Sequence, residues 1–495
     1  MSILGISAGF HDAGAAIVDH HGEILFAAHS ERYSKHKHDE HYSLGLLEDI
    51  RQHSADIDTI AYYERPFVKQ LRSLYAGQGF NWHQCTSKQA VRRELGRNYR
   101  NVPIRTFNHH LSHAAGGFQT SPFEKATVVV IDAIGEFDTV SIWGAEYDKH
   151  GQAQYKKLWG QRYPHSVGLF YSAATKHVGL KPLDEEYILM GMAAYGNSRE
   201  TVKLMRQDLI DSEWEAKFKE NLHLGMATKY LSDFPDFDIA AGAQDLVEDL
   251  ILNIMIRARN FKWSSNLVYA GGVALNCSAN RRIGNYFDNI WIMPNPGDCG
   301  SSLGAAALAY GGRLNWRDAF LGHNIAGPYP VNAILDELVT NRIVGVASGR
   351  AEFGPRALGN RSLLADPRGP EIKDRVNEIK RRQKFRPFAP VILEELVHHY
   401  FDMPSGWRDS RYMQVVAPCR HPDLFPAIVH ADGTSRVQTV PKDGSGIRQL
   451  LEKWYVMTGC PMLLNTSLNI RGEPMVNDRQ DADRFETMYG VKVCS

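Results

Sequence analysis

Two histidines spaced four residues apart offer the first chemistry in this sequence. His109 and His113 lie in the segment NHHLSHAAGGF. Residues at i and i+4 share one face of a helix, so both imidazoles could bind one metal ion. For the pair alone, a polar helix face is the simpler interpretation. His110 lies between them, points elsewhere and is expected to have a structural role.

Two aspartates supply the further ligands that such a site would need. Asp132 follows the apolar run TVVVI, and Asp298 follows IWIMP inside NPGDCGSS. Residues at the carboxyl ends of strands in an open α/β sheet face the ligand crevice. Two His and two Asp suit iron, zinc or manganese. Each aspartate alone is explained as well by a turn or a helix cap, and for all four residues together the two interpretations are balanced.

Glycine-rich turns follow two predicted strands. The segments are AGGVALN, which holds Gly271 and Gly272, and GDCGSSLGAA. Glycine lets the backbone approach a ligand closely, and a helix that begins there favours phosphate at its N-terminus. Each turn alone is a weak signal. Their repetition resembles the nucleotide-binding loops of the actin, Hsp70 and sugar-kinase superfamily.

A basic and polar set occupies the last third of the chain. Guanidinium groups and small polar side chains near strand ends suit phosphate and carbamoyl recognition. The residues that could act in this way are Arg356, Arg361, Lys380, Arg386, Arg436, Asn465, Thr466, Ser467, Asn469 and Arg471. Alternatively, these residues could be exposed side chains that only interact with solvent, and we prefer this interpretation for residues 381–384. It is less natural for Arg386, which lies between Phe385 and Pro387.

The elements that must position these residues form two units. The chain opens with a strand and a hairpin, and residues 126–146 repeat that plan, which predicts a duplicated α/β domain with a cleft between its halves. Residues 40–100 and 196–262 are expected to be largely helical. Turn residues without a regular period at 312–332 place the main boundary there. Beyond it, short apolar runs alternate with polar segments and predict a second α/β domain.

Composition excludes several classes of protein. At 495 residues the chain is longer than a single hydrophobic core usually accommodates, which predicts more than one domain. Lys and Arg together number 56, as do Asp and Glu, so no global field attracts nucleic acid or membranes. The start lacks the pattern of a signal peptide, and no run is long enough for a membrane span. Six scattered cysteines indicate reduced thiols and a cytoplasmic location.

Ordered blocks along nearly the whole chain resemble the nodulation and antibiotic-tailoring O-carbamoyltransferases, including the aminoglycoside carbamoyltransferases. The blocks are GISAGFHDAGAAIV, SERYSKHKHD, NHHLSHAAGGF, VVVIDAIGE, MGMAAYG, AGGVALNC, PNPGDCGSSLGAA, EFGPRALGNRS, FRPFAP, DGTSRVQTV and NTSLNIRGEP. The resemblance implies an actin/Hsp70-like domain of the Kae1 type over residues 1–325. It implies a YrdC-like α/β domain over residues 326–495. The second domain would form carbamoyl-adenylate from carbamoyl phosphate and ATP, and the first would transfer the carbamoyl group to a hydroxyl.

The resemblance also implies roles for individual residues. His109, His113, Asp132 and Asp298 would hold Fe2+, or Zn2+ or Mn2+ in its place. Nucleotide in the first domain would contact Gly271, Gly272, Val273 and Asn276. Carbamoyl phosphate and ATP, with Mg2+, would be held by Arg356, Arg361, Arg386, Arg436, Asn465, Ser467, Asn469 and Arg471. His11 and Asp12 are candidates for deprotonating the acceptor, although a turn-stabilising Asp is nearly as good an explanation.

Departures from the family pattern leave the acceptor open. Ala133 replaces the usual glycine, and Tyr187 and Ile188 stand where small and basic residues are usual. The chain is also short for the family, so we expect a more open acceptor cleft. The acceptor could be a sugar, a natural product, or a 5-hydroxymethyl base of a nucleotide or DNA. Transfer of threonylcarbamoyl to tRNA, an actin-like kinase and a metal-binding scaffold are the alternatives. A homodimer is an open alternative to a monomer.

Overall fold

Two sheets with the same strand order build the first part of the chain. The computed structural model describes residues 2–54, 56–96 and 99–495. The strands of this part are β1 (Ser2–Ser7), β2 (Gly14–Asp19), β3 (Ile24–His29), β4 (Ile57–Tyr62), β5 (Ile104–Thr106), β6 (Lys125–Gly135), β7 (Asp138–Tyr147), β8 (Ala153–Arg162), β9 (Ile210–Ser212), β10 (Lys217–Phe218), β11 (Asn266–Ala270), β12 (Asn289–Trp291) and β13 (Phe320–Ile325). The sheet orders are β3-β2-β1-β4-β5 and β8-β7-β6-β11-β12.

The pairing within the two sheets is also the same. In each sheet the first three strands form an antiparallel meander, and the next two join parallel to its first strand. Strand β6 is buried over almost its whole length because helices cover the sheet, which explains its continuous run of β-branched residues. The prediction of a duplicated α/β unit is confirmed.

Helices connect and cover these sheets. They are α1 (Glu31–Ser34), α2 (Leu44–His53), α3 (Pro66–Tyr75), α4 (Ser87–Leu95), α5 (His109–Phe118), α6 (Val167–His177), α7 (Glu186–Ala193), α8 (Arg199–Leu209), α9 (Asp236–Asn260), α10 (Cys277–Ile283) and α11 (Ser301–Tyr310). The predominantly helical prediction for residues 40–100 and 196–262 holds, except that strand β4 and the β9–β10 hairpin interrupt the two segments. The apolar and β-branched residues of IDTIAY favour a strand.

Helices α5 and α11 pack against each other between the two sheets. Helix α5 packs on β6 and β11, whereas α11 packs on β1, β2 and β4. Glycines allow the close approach: a Cβ added to Gly304 would lie 1.8 Å from the carbonyl oxygen of Ser112. Since α5 begins at His109 and α11 follows Asp298, this packing brings the two ends of the predicted metal site together.

The second part is an α/β unit around a six-stranded mixed sheet. Its strands are β14 (Ile343–Ala347), β15 (Gly349–Glu352), β16 (Arg361–Ala365), β17 (Ala389–Leu393), β18 (Val416–Pro418), β19 (Thr434–Arg436), β20 (Gln438–Val440), β21 (Met462–Ser467) and β22 (Val493–Cys494). Its helices are α12 (Val331–Asn341), α13 (Glu371–Ile379), α14 (Val397–Tyr400), α15 (Gly446–Thr458) and α16 (Arg479–Tyr489). The order of the main sheet is β20-β17-β21-β16-β14-β22.

A strand lies in the linking segment that was expected to be irregular. Strand β13 pairs antiparallel with β15, and Ile325 packs into the hydrophobic core of the second part. The proposed boundary at residues 325 and 326 therefore falls at the end of a strand that already pairs with the second part. Within the described residues, none of the helices combines the length and the apolar character needed to cross a membrane. All six cysteines are unpaired.

Candidate active site and metal centre

Four buried side chains converge where α5, β6 and the turn before α11 meet. Asn108 caps α5 by accepting a hydrogen bond from the backbone N–H of Leu111, so the helix begins at His109. The Nε2 atoms of His109 and His113 are 3.0 Å apart. The carboxylates of Asp132 and Asp298 lie 3.2–3.5 Å from these nitrogens. The sequence prediction that these four residues share one site agrees with this geometry.

The cluster has the donor atoms and the spacing of a metal site. Ligands at about 2.0–2.2 Å from an ion in tetrahedral geometry are roughly 3.3–3.6 Å from one another, close to the observed spacing. Two imidazole nitrogens that face each other need a proton or a cation between them. Burial opposes protonation of both histidines, but the neighbouring carboxylates of Asp298 and Asp132 outweigh it and raise the pKa of His109 and His113. The four residues therefore fit a divalent ion, whose identity the donor set leaves open.

Contacts around the cluster fix its members. The Nδ1–H of His113 can donate to the carbonyl oxygen of Pro296, 3.1 Å away, which leaves Nε2 free to bind a metal. The backbone N–H of Gly272 donates to Asp132 Oδ1 over 3.2 Å. The buried carboxylate of Glu64 lies 3.7 Å from His109 Nδ1. Sequence reasoning missed Glu64, which carries no recognisable motif.

His11 and Asp12 lie beside the cluster, as a pair. His11 Nδ1 is 2.9 Å from Asp12 Oδ2, and its Nε2 is 3.9 Å from Asp298 Oδ2. Burial alone would lower the pKa of His11, but the hydrogen bond with Asp12 and the charge of Asp298 raise it to about 9. His11 without a nearby cation is therefore an acid near neutral pH. A cation bound by Asp298 and Asp132 would oppose this rise in the pKa of His11 and so favour its predicted role as a base.

A second histidine extends this pair away from the cluster. His38 lies between Asp12 and Asp184, at 2.7 and 2.9 Å. Burial opposes protonation of His38, but these two carboxylates raise its pKa to about 10. Lys37 is 3.4 Å from the same oxygen of Asp184. The block SERYSKHKHD contains the signal, but spacing alone does not reveal which of its cations face the site.

One cavity of about 700 Å3 connects the His/Asp cluster to the second part of the chain. At one end it is lined by His11, Asp132 and Asp298. Predicted ligand-binding residues also line it, and these are Gly272, Val273, Asn276, Arg356, Arg386, Arg436, Asn465, Ser467, Asn469 and Arg471. The structure thus brings most of the predicted residues of both parts to one continuous space.

Cations are crowded at the far end of this cavity. Lys380 is buried, and its Nζ donates to Asn469 Oδ1 over 2.9 Å and lies 3.3 Å from Ser467 Oγ. Burial and neighbouring arginines lower the pKa of Lys380, and burial and Arg436 lower the pKa of Arg356 to about 9. The buried Nε of Arg436 has no hydrogen-bond partner in the described part of the chain. An anion would complete such a site.

Further predicted residues of the second part have partners across the cavity or within the sheet. The guanidinium of Arg386 lies 4.8 Å from the ring centre of Tyr187, and Arg471 pairs with Glu185 at 3.1 Å. The side-chain amide of Asn465 donates to Gln438 Oε1 over 2.7 Å. The departures from the family pattern near Tyr187 therefore lie against the basic end of the cavity.

Three predicted binding residues have structural partners instead. The guanidinium of Arg361 is fully buried and donates five hydrogen bonds to backbone carbonyl oxygens, so it has no donor left for a ligand. Gly271 is outside the cavity lining, and its φ of +90° forms the turn. The amide of Asn276 caps α10 and pairs with Gln244, although it borders the cavity. The expectation of ligand binding by Arg361 is corrected on this ground.

Two family models match most of this sequence. The model described as carbamoyltransferase N-terminus matches residues 2–307, and that described as carbamoyltransferase C-terminus matches residues 335–493. Protein sll1178 of Synechocystis is 34% identical over 97% of this chain and 93% of that protein. Nodulation protein NolO of Bradyrhizobium diazoefficiens is 32% identical over 76% of this chain and 75% of that protein.

A third relative and a solved structure complete the comparison. Nodulation protein NolNO of Sinorhizobium fredii is 29% identical over 95% of this chain and 76% of that protein. Full-length HypF, in its phosphate- and nucleotide-bound form, covers 62% of this chain and 55% of that chain at 14% identity, with a TM-score of 0.35. The two family models together account for nearly all of the sequence. The chain belongs to the carbamoyltransferase family and is a transferase of carbamoyl groups.

Proposed function

We propose that this protein is an ATP-dependent O-carbamoyltransferase that makes carbamoyl-adenylate in its second part and uses it at the metal centre of its first part. The observation that carries this proposal is the single cavity between the basic set and the His/Asp cluster. A reactive mixed anhydride hydrolyses in water, so an enzyme gains when it makes and uses the anhydride within one continuous cavity.

The reaction balances in three steps. Water releases phosphate from carbamoyl phosphate and leaves carbamate. A carbamate oxygen then bonds to the α-phosphorus of ATP as pyrophosphate leaves. Finally the acceptor hydroxyl oxygen bonds to the carbamoyl carbon, the bond from that carbon to the adenylate oxygen breaks, and AMP leaves. A carbamoyl group is a poor electrophile, and adenylation gives it a good leaving group.

The second part supplies the cations for the first two steps. We assign phosphate binding to Arg356, Arg386 and Arg436, because all three line the cavity and at least Arg436 has a buried donor without a partner. Ser467 and Asn469 hold Lys380 at this end of the cavity and so position its charge. Mg2+ would accompany ATP. The proposed likeness of this part to YrdC rests on the motifs FRPFAP and NTSLNIRGEP.

The first part supplies the transfer site. A divalent ion held by His109, His113, Asp132 and Asp298 would offer positive charge to the phosphate of the adenylate and to the developing negative charge. Gly272 and Val273 line the cavity next to this cluster and would contact the adenylate. We assign His11, with Asp12 holding its Nδ1, to take the proton of the acceptor hydroxyl.

Pyrophosphate release tests the proposal. The full chain, mixed with ATP, carbamoyl phosphate and Mg2+, is expected to release pyrophosphate, and a suitable hydroxyl acceptor is expected to gain the mass of one carbamoyl group. The variant Arg436→Met keeps the length of the side chain and removes its charge. It should lower the rate of pyrophosphate release by roughly 10- to 100-fold, since a charged hydrogen bond is worth about 1.5–3 kcal/mol.

Arg317→Met is the matched control. Arg317 is exposed and pairs with Glu23, away from the cavity, so its replacement should leave the rate unchanged. The absence of pyrophosphate release with every acceptor tried, threonine included, would contradict the adenylate mechanism. Formation of threonylcarbamoyl-adenylate on addition of threonine and bicarbonate would favour the tRNA-modifying alternative.

A further inference from the structure

One segment of this electrically neutral chain is strongly basic. The described residues 65–96 and 99–105, here called the basic lobe, follow β4 and end within β5. They contain eight Lys or Arg residues and a single acidic residue, Glu94. Glu94 is buried and is already paired with Arg93. Lys88, Arg92 and Arg100 are exposed and have no carboxylate partner in residues 2–54, 56–96 and 99–495. The lobe therefore presents uncompensated positive charge.

The same segment also carries large aromatic side chains that are exposed. Phe67, Tyr75 and Trp82 are 52%, 69% and 71% exposed. Phe80 joins two of them, because its ring centre is 6.2 Å from that of Phe67 and 4.6 Å from that of Trp82. Folding normally buries such rings, so a cluster of them at the surface indicates a binding surface.

The basic lobe borders the metal centre. Lys69 Nζ is 3.3 Å from the carbonyl oxygen of Gly9 and lies over the ring of Phe10, the residue before His11. Arg93 covers Gly9 so closely that a Cβ there would lie 2.4 Å from its Nη2. The lobe thus contacts the loop that carries His11, one of the residues that line the cavity.

The acidic residues next to the lobe do not cancel its charge. Glu64 pairs with Lys69 at 2.7 Å, and Glu136 accepts hydrogen bonds from the backbone N–H and the guanidinium of Arg65. Both carboxylates are buried. The exposed face of the lobe therefore remains cationic.

We propose that the basic lobe binds a single-stranded nucleic acid, and that the carbamoyl acceptor is a hydroxyl on one of its bases. Cations that follow a phosphate backbone, together with exposed aromatic rings on which bases stack, are the features of single-strand binding surfaces. A neutral saccharide could stack on the aromatic rings, but it has no negative charge to pair with the cations. Enzymes that modify a base need it unstacked in order to reach it. The acceptor assignment rests on the proposed function, and the binding assignment does not.

The transfer step follows from that function. The base hydroxyl oxygen bonds to the carbamoyl carbon, the bond from that carbon to the adenylate oxygen breaks, AMP leaves, and the hydroxyl proton passes to His11 and from there to solvent. A 5-hydroxymethylpyrimidine carries such a hydroxyl.

The test is fluorescence anisotropy of a labelled single-stranded oligonucleotide that contains one 5-hydroxymethylcytosine, titrated with the full chain at several salt concentrations. We expect binding that weakens as salt rises. Lys88→Glu combined with Arg92→Glu should weaken it at least about tenfold and flatten the salt dependence. Trp82→Ala should weaken it roughly 5- to 100-fold through lost stacking. All three side chains are exposed, and melting curves check that the variants fold.

Matched controls carry the same changes elsewhere. Lys149→Glu with Lys203→Glu reverses two exposed charges outside the lobe, and Trp214→Ala removes a 43% exposed ring. Both should leave the affinity within about twofold. Equal weakening by lobe and control variants would overturn the proposal, and so would binding of a neutral glucose oligosaccharide (maltohexaose) without binding of the oligonucleotide.

Two further readouts separate this inference from the proposed function. Mass spectrometry of the oligonucleotide after incubation with ATP and carbamoyl phosphate should show one added carbamoyl group. Pyrophosphate release without oligonucleotide binding would overturn the lobe assignment and leave the adenylate mechanism standing. Oligonucleotide binding without pyrophosphate release under any condition would reject the adenylate mechanism and the base acceptor and keep the nucleic-acid surface.

Discussion

At the scale of single residues, the role of each histidine on α5 depends on which ring nitrogen faces the His/Asp cluster. His113 uses Nδ1 for a backbone carbonyl and presents Nε2 to the cluster, whereas His110 uses Nδ1 for the hydroxyl of Ser141 at 2.8 Å. His110 is on the same helix, is fully buried, and is flanked by the ligands. The three histidines of this segment are thus two proposed metal ligands and one structural residue.

Replacing a ligand should remove the metal. His113→Ala is expected to lower metal affinity by more than about 100-fold, since even residues that support a ligand cost 10- to 100-fold. His110→Gln is the control, because it changes a buried histidine three residues away that does not face the cluster. Elemental analysis of protein purified and dialysed against buffer measures the bound ion. Equal metal content in His113→Ala and the unsubstituted protein would contradict the assignment of the four ligands.

At the scale of elements, a glycine turn holds one of the carboxylates. The turn after β11 places the N–H of Gly272 on Asp132 Oδ1, and it does so because Gly271 has a φ of +90°. A Cβ on Gly271 would lie 2.1 Å from the carbonyl oxygen of Ile131 in the neighbouring strand β6. The turn therefore links two neighbouring strands of the sheet to the position of a proposed metal ligand.

Gly271→Ala should therefore damage both fold and site. The left-handed φ and the clash together should cost about 2–4 kcal/mol of stability, and metal content should fall with it. Gly179→Ala isolates the effect of φ, because Gly179 has a φ of +76° and open space where its Cβ would be. That control should cost about 1–2 kcal/mol and keep the metal. Thermal melting and elemental analysis compare the two, and equal effects would exclude the clash as the cause.

Local patterns explain why the sequence predicted part of this site. His109 and His113 share a helix, and Asp132 and Asp298 each follow an apolar run. All four residues could therefore be predicted from sequence patterns in their own segments. The failure with Arg361 has a physical reason: a guanidinium next to glycines can face a phosphate or backbone carbonyls, and sequence does not distinguish them. The contact between Arg386 and Tyr187 depends on the packing of two distant segments, which no local pattern encodes.

At the scale of the whole molecule, the two parts are joined by many specific contacts. Trp407 donates to the carbonyl oxygen of Asn280, the amide of Asn280 donates to that of Gln414, and Arg32 donates to that of Gly354. The cavity runs through this junction. An intermediate made at one end of the cavity could therefore reach the other end within the same chain.

Mixing two inactive variants tests this passage. His113→Ala should fail at transfer, and Arg436→Met at adenylation. An intermediate confined to one chain cannot pass between them, so the mixture should transfer carbamoyl at less than about a tenth of the rate of the unsubstituted protein, given the high effective concentration that confinement provides. Mass spectrometry of the carbamoylated acceptor measures the rate. Restoration of the full rate by mixing would show that the adenylate diffuses freely.

The strand pairing between β13 and β15 has a consequence for how this protein could be divided. A chain cut after residue 325 would separate Ile325 from the core it helps to fill and leave the edge of β15 without its neighbour. The second part expressed alone would expose backbone donors and an apolar site, and it should associate with itself. The two proposed activities would thus be linked by folding as well as by chemistry, because the second part depends on a strand of the first.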